Sequence, residues 1–303
     1  MLSVLIPIYN FDCRAFIQSI HKQALECNIP FEIRCYDDGS NKTFKDINSS
    51  LLWMSNLVYI GMPNNIGRSA IRNKLGADAL YNYLLFMDCD SSIEQADFIS
   101  SYIQKLNENT VVYGGRSYEK NVPTNKTQFL RWLYGIKREV KNAAKRATAP
   151  YKSFMTNNFV IPKALFQSIQ FNTELTGYGH EDTLFGYQLE ERKIPVLHIE
   201  NPLCHIGLES SEEFIAKTAE GIKNLAFVYN KKWPIGDVKL LNTYKKINEW
   251  KLVLLVLFFG KVFEKSITNN LVSPSPNLSQ FDFYKLVLLC RELEKKQSIL
   301  LHN

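Results

Sequence analysis

The sequence predicts an α/β fold, a mostly parallel sheet flanked by helices, with a helical extension at the C-terminal end. Three observations carry this prediction. Short apolar runs alternate with helix-like stretches through the first two hundred residues. Polar and acidic residues gather where those runs stop, and the composition shifts after Pro234-Ile235-Gly236-Asp237. A division into 1–235 and 236–303 follows. With 303 residues, 46% hydrophobic and 22% charged, the chain can bury one large core and carry an appendage. Disordered, collagen-like and disulfide-scaffold classes are excluded.

Taken in order, Leu2 to Ile8 is the first strand. The apolar start has no basic leader, long apolar centre or small-residue cleavage site, so it reads as a strand and not as a signal peptide. Asp12 is placed to cap a helix with Phe16, Ile20 and Ala24 on one face. Phe31 to Tyr36 forms a second strand, running into Asp37-Asp38-Gly39-Ser40. Leu57 to Ile60 forms a third, followed by a loop ending at Gly67 and a helix through Leu80. Tyr83 to Met87 forms a fourth and ends in Asp88-Cys89-Asp90. Gly177-Tyr178-Gly179-His180-Glu181-Asp182 opens a helix to about Arg192, and Val196 to Ile199 is another strand. Ser210 and Glu213 spell a capping box for a helix ending near Trp233. The extension reads as helices over 239–266 and 280–300, joined by a loop at Ser273-Pro274-Ser275-Pro276.

The net charge of +6 selects no partner by itself. The six cysteines form no C-x-x-C pair and no zinc-like spacing with the five histidines, so free thiols in a reducing compartment are expected. The longest apolar run, Leu252 to Phe259, is too short to span a bilayer.

In open α/β sheets ligands bind beyond the carboxyl ends of the strands, which is where the acidic pairs fall. Asp88 and Asp90 follow a buried-looking strand. Two neighbouring carboxylates repel unless a cation lies between them, and hard oxygen ligands suit Mg²⁺ or Mn²⁺. Asp37 and Asp38 could accept hydrogen bonds from a base or ribose, or simply make an Asp-Gly turn. Gly67 would let backbone approach a ligand at a helix start, and Arg68 and Arg72 at helical spacing could face phosphate. Exposed helix arginines need no function, so both readings stay open.

In this order, these pieces make the chain resemble the inverting GT-A glycosyltransferases of family 2, enzymes of bacterial polysaccharide assembly. The matching stretches are Val4-Leu-Ile-Pro7-Ile-Tyr9-Asn10, Asp37 to Ser40, Asn65-Ile-Gly67-Arg68-Ser-Ala-Ile-Arg72-Asn73, Asp88 to Asp90, Gly177 to Asp182 and Asn201-Pro-Leu-Cys-His205. The resemblance implies a nucleotide site drawn from Pro7, Tyr9, Asn10, Asp38, Asn65, Gly67, Arg68, Arg72 and Asp88. It implies Mn²⁺ or Mg²⁺ on Asp88 and Asp90, completed by His205, and a UDP-sugar donor. The Gly179 to Asp182 block would bind a glycan or lipid-linked saccharide acceptor, with Glu181 orienting it and Asp182 as general base. A base is needed because a sugar hydroxyl is too weakly acidic to attack unaided. No nucleic-acid partner is expected.

His198, His180 and His21 compete with His205, and Asn157 and Asn158 are weaker candidates for a sugar contact. Gln128-Phe129-Leu130-Arg131-Trp132 has the Q-x-x-R-W spelling of processive membrane synthases but precedes the catalytic acid. It reads as part of a basic amphipathic helix over 128–146, its Lys137, Arg138, Lys141, Lys145 and Arg146 in water. Trp132 could still line an acceptor groove as a platform for a sugar ring. Residues 250–261 are apolar on nearly all sides. They are expected to be buried in protein, with an oligomer contact or a membrane interface left open. The chain is accordingly expected in the cytoplasm, peripheral attachment to the inner face of the cell membrane included. A sugar-phosphate nucleotidylyltransferase is the other enzyme reading, but its glycine-rich loop is absent after the first strand. A catalytically inactive transferase-like assembly subunit is the non-enzymatic one. A dinucleotide oxidoreductase would need a G-x-G-x-x-G that follows no strand here.

Overall fold

Period-two alternation builds the central sheet. The computed structural model describes residues 1–300, with side-chain surroundings through 295. Along β1 (Leu2–Ile8), Leu2, Val4, Ile6 and Ile8 enter one core while Leu5 enters the other. β2 (Phe31–Asp37) and β4 (Tyr83–Met87) divide their side chains in the same way, so both faces are apolar and the strands read as nearly continuous hydrophobic runs. With β3 (Leu57–Gly61), these strands pair in parallel. β8 (Asn158–Pro162) runs antiparallel between β4 and β6 (Val111–Tyr113), and β9 (Val196–His198) closes the sheet at order β3-β2-β1-β4-β8-β6-β9. A smaller sheet sets β10 (Leu203–His205) between β5 (Ser91–Ser92) and β7 (Arg116–Ser117).

The chain packs as two units. The first comprises 1–119, 138–174 and 181–207, and contains both sheets. It also holds helices α1 (Arg14–Glu26), α2 (Arg68–Asp78) and α3 (Glu181–Glu191). The second comprises 120–137, 175–180 and 208–303. There the long helix α4 (Ser211–Asn230) begins with the expected capping box, Ser210 Oγ accepting from the Glu213 amide and the Glu213 carboxylate accepting from the Ser210 amide. It is followed by α5 (Lys239–Glu249), α6 (Val253–Val262), α7 (Glu264–Leu271) and α8 (Leu278–Leu300). Leu130, Phe214, Ile267, Leu271 and Phe281 form a core of this unit. The division at residue 235 follows composition, whereas packing groups α4 with the helices after it.

Five local expectations are corrected. Asp12 does not cap α1 from the N-cap position, which is Cys13; its carboxylate takes the Arg14 amide at 3.2 Å and pairs with the Arg14 guanidinium at 2.8 Å. The single helix over 128–146 is broken into a short α-helix at Phe129–Tyr134, a π-helical segment at Gly135–Glu139 and a short α-helix at Ala143–Ala147. Arg146, expected in water, is buried, its guanidinium donating to the carbonyls of Lys141, Gly114 and Ile199 and to His198. A buried guanidinium is tolerated because its donors find acceptors. The helix over 239–266 is interrupted at 250–252, where Lys251 takes a left-handed φ of 58°, and again at Phe263. In that region the apolar run is not buried as expected: Leu254 is 74% exposed and Phe258 60%.

Candidate active site

The carboxyl ends of β2 and β4 carry the acidic residues, and α2 begins beside them. Asp38 is buried and fastens the loop before α2, its two oxygens accepting from the amides of Ile66 at 2.7 Å and Gly67 at 3.1 Å. Burial pushes its carboxyl up despite those bonds. Gly39 touches the same loop: at its φ of +79° a Cβ would lie 2.5 Å from the Asn65 amide nitrogen. Gly67, at φ +91°, faces open space where a Cβ would project, so backbone is presented to any ligand at the start of α2. Asn65 is exposed and caps locally, accepting the Gly67 amide at 3.0 Å. Pro7 is half-buried and Tyr9 exposed at the end of β1. Asn10 holds the turn to Ser40, donating its amide to Ser40 Oγ at 2.8 Å and accepting from the Asn41 amide at 2.8 Å.

The arginines of α2 divide by burial. Arg72 is buried and donates to Asp88 Oδ1 at 2.7 Å, while its guanidinium lies 5.7 Å from the Phe171 ring. Arg68, 41% exposed, pairs with Glu181 Oε1 at 2.9 Å. Glu181 and Asp182 occupy the first turn of α3, where the helix dipole favours negative charge. Burial, and then the neighbouring Glu181 charge, push the Asp182 carboxyl up to about 6, although its Oδ1 accepts the Thr183 amide at 2.7 Å.

The small sheet assembles the rest. His205 pairs in register with Ser91, directly after Asp90, and β10 lies beside Arg116 on β7. Asp90 Oδ1 is buried without a hydrogen bond and lies 3.5 Å from His205 Nδ1. That same Nδ1 accepts from Arg116 at 3.2 Å, and Arg116 also lies 3.8 Å from Asp88 Oδ2 and 3.5 Å from Glu139. Burial alone would raise the Asp90 carboxyl, but His205, then Arg116 and Arg68, outweigh it and hold it well below the usual carboxylate range. The buried Asp90 Oδ1, without a hydrogen bond, is the atom there that a cation would satisfy. No group of three or more His, Cys, Asp or Glu suited to a metal forms among the described residues. Mg²⁺ is ordinarily held by one or two carboxylates completed by phosphate oxygens and water, so the ionised Asp90, with His205 beside it, fits such an ion. Asp88 is tied to arginines instead of sharing a cluster with Asp90.

The remaining candidates separate. His198 is a packing residue, bonded to Pro150 O at 3.0 Å and Arg146 Nε at 3.3 Å. Asn158 is buried among Tyr102, Gly115 and Asn201, its side chain committed to structure. Trp132 and Gly179 belong to the second unit. There Trp132 packs 5.3 Å from Phe129, and Gly179 lets its backbone approach Gly221, where a Cβ would lie 2.9 Å away. Arg116 was missed: its strand is two residues long and its partners lie far off in sequence. The Gly114-Gly115 pair before it was the available signal. A Cβ at Gly115 would lie 2.4 Å from the Arg146 guanidinium, and one at Gly114 2.3 Å from the Asn201 carbonyl.

Comparison with known proteins places this arrangement. A family model described as glycosyl transferase family 2 matches residues 3–168, more than half of the chain. The chondroitin synthase of Escherichia coli is 27% identical over 226 residues, covering 62% of this chain and 32% of that protein. That of Pasteurella multocida (strain Pm70) is 25% identical over 222 residues, covering 62% and 23%. The chain thus spans about a third or less of the length of these curated relatives. Among solved structures, residues 1–349 of Staphylococcus aureus TarS in complex with UDP-GlcNAc match at a TM-score of 0.51 and 17% identity, covering 98% of this chain and 91% of that one. A Pyrobaculum calidifontis mannosyltransferase in complex with GDP-Man and Mn²⁺ matches at 0.57 and 12% identity, covering 97% and 86%. At those identities the likeness speaks for the fold, the GT-A arrangement the sequence resembles. The match across β1 to β8, with the acidic strand ends inside it, gives the conclusion that the chain belongs to glycosyl transferase family 2 and is a glycosyltransferase.

Proposed function

We propose that this chain transfers a sugar from a UDP-sugar to a hydroxyl of a glycan or lipid-linked saccharide with inversion at the anomeric carbon. The observation that carries the reading is the pairing of opposites at one sheet edge: arginines of α2 and β7 against Asp88, and Asp90 facing His205. Uridine and ribose would meet Pro7, Tyr9, Asn10, Asp38 and the loop from Asn65 to Gly67, with Asp88 held in place by Arg72. Asp90 and His205 would hold Mn²⁺ or Mg²⁺, which when bound offsets negative charge on the departing diphosphate. Arg68 would turn from Glu181 to that diphosphate, which frees Glu181 to take an acceptor hydroxyl. Asp182, with a proton affinity near 6, is largely ionised at neutral pH and basic enough to receive the acceptor's proton. The carbon–oxygen bond to the diphosphate breaks as the acceptor oxygen bonds the anomeric carbon, and that oxygen's proton passes to Asp182.

The test is UDP release from a panel of UDP-sugars with Mn²⁺, with and without saccharide acceptors. One donor should be hydrolysed slowly alone and faster with its acceptor. Asp182→Asn should still bind UDP, seen as a thermal shift, but lose transfer by about 10²–10⁴-fold. Normal transfer by that variant removes Asp182 as base, and failure of every UDP-sugar to bind removes the donor class.

A further inference from the structure

Helix α6 presents an apolar face to solvent that a folded protein would ordinarily cover. Its inner side is accounted for: Val253 is buried, and Gly260 lets the helix sit against α8, where a Cβ would lie 2.5 Å from Val287 Cγ1. Its outer side is not. Leu254, Leu255, Phe258 and Val262 are exposed, and Trp250 and Phe263 extend the face beyond each end. Single exposed apolar residues are ordinary, but a contiguous ridge of this kind marks an interaction surface.

Charge identifies the occupant. Lys245, Lys246, Lys251, Lys261 and Lys265 flank the ridge and are exposed, against only Glu249 and Glu264. Glu264 is neutralised by Arg291, at 2.9 and 3.2 Å. An apolar ridge rimmed by lysines complements a surface that is apolar within and anionic at its face. A twofold partner would bring the lysine rims of two copies together. The ten residues of α6 extend about 15 Å, too short to cross a bilayer. No described helix is long and apolar enough to cross a membrane. The helix would therefore lie in the plane of the interface, with Trp250 at the headgroup level suited to its amphipathic ring.

We propose that α6, with Trp250 and Phe263, is an interfacial anchor that seats this chain on an anionic lipid bilayer. The proposal does not depend on the donor or acceptor assignment. It is tested by flotation of the full chain with phosphatidylcholine vesicles, with and without phosphatidylglycerol. The chain should float at least tenfold more with the anionic vesicles and be released by high salt. Leu254→Ser combined with Phe258→Ser, both at exposed positions, should reduce flotation at least tenfold while leaving melting temperature and UDP release unchanged. Lys251→Gln, Lys261→Gln and Lys265→Gln together should abolish the preference for phosphatidylglycerol. No flotation of the wild type, equal flotation on both vesicles, or undiminished flotation of the serine variant overturns the anchor. A dimer in sedimentation that the serine variant dissolves also overturns it and assigns the face to a second copy.

Discussion

Two acidic pairs stand at element ends in this protein, and their surroundings give them opposite characters. Asp88 and Asp90 follow β4 and lie among Arg72, Arg116 and His205, so Asp90 is held ionised far below neutral pH. Glu181 and Asp182 open α3 with Arg68 on Glu181, and Asp182 is pushed up to about 6. The same residue types thus divide by neighbouring charge and burial: Asp90 is held ionised among cationic side chains, whereas Asp182 is raised toward the range in which a carboxylate exchanges its proton near neutral pH.

The largest effect is expected at Asp90. Asp90→Asn should lower transfer by about 10²–10³-fold, the scale on which a single charge-stabilising group acts, and abolish stimulation by added Mn²⁺ in a titration of activity. Retained Mn²⁺ stimulation would separate the cation from this residue. Next is Arg72, whose loss leaves Asp88 with only the more distant Arg116. Arg72→Met should destabilise the fold by about 2–4 kcal/mol in urea unfolding, where a solvated pair would cost less than about 1.

Asp182 carries a smaller stability effect of opposite sign. Its carboxyl is raised from the ordinary 3.8 to about 6 in the fold, so the protonated form is favoured there. Its contribution is fully present below the unfolded value and lost as pH rises through about 6. Asp182→Asn, neutral at every pH, should therefore be more stable than wild type by about 1 kcal/mol above pH 6 and equal to it near pH 4, a figure reduced for the partial exposure of the group. Smallest is Arg68→Ala. Arg68 lowers the Asp182 proton affinity, so its removal should shift the acid limb of the rate profile upward by a fraction of a unit and weaken donor binding about tenfold.

Much of this site was legible in the sequence because it sits on parallel strands. Their apolar runs are continuous, and the point where each stops marks the sheet edge, which located Asp38, Asp88 and Asp90. Arg68 and Arg72 were legible from spacing alone, but not their division into an exposed and a buried residue, since that depends on Asp88 and Phe171. Arg116 was hidden because it reaches the site through a two-residue strand paired across nearly ninety positions. Arg146 misled because a basic residue with helical spacing reads as solvated, and its acceptors are carbonyls that no sequence pattern displays. The apolar run at 250–261 could be read as covered or uncovered, and only the packing of α6 on α8 decides which side faces out.

The role of Asp182 is tested by the pH dependence of kcat/KM for sugar transfer, with the pH dependence of UDP binding recorded beside it. The rate should rise with pH through a limb near 6, carried by Asp182, while UDP binding stays level across that range. A transfer rate that is flat through pH 6, or one whose limb survives in Asp182→Asn, would contradict that role.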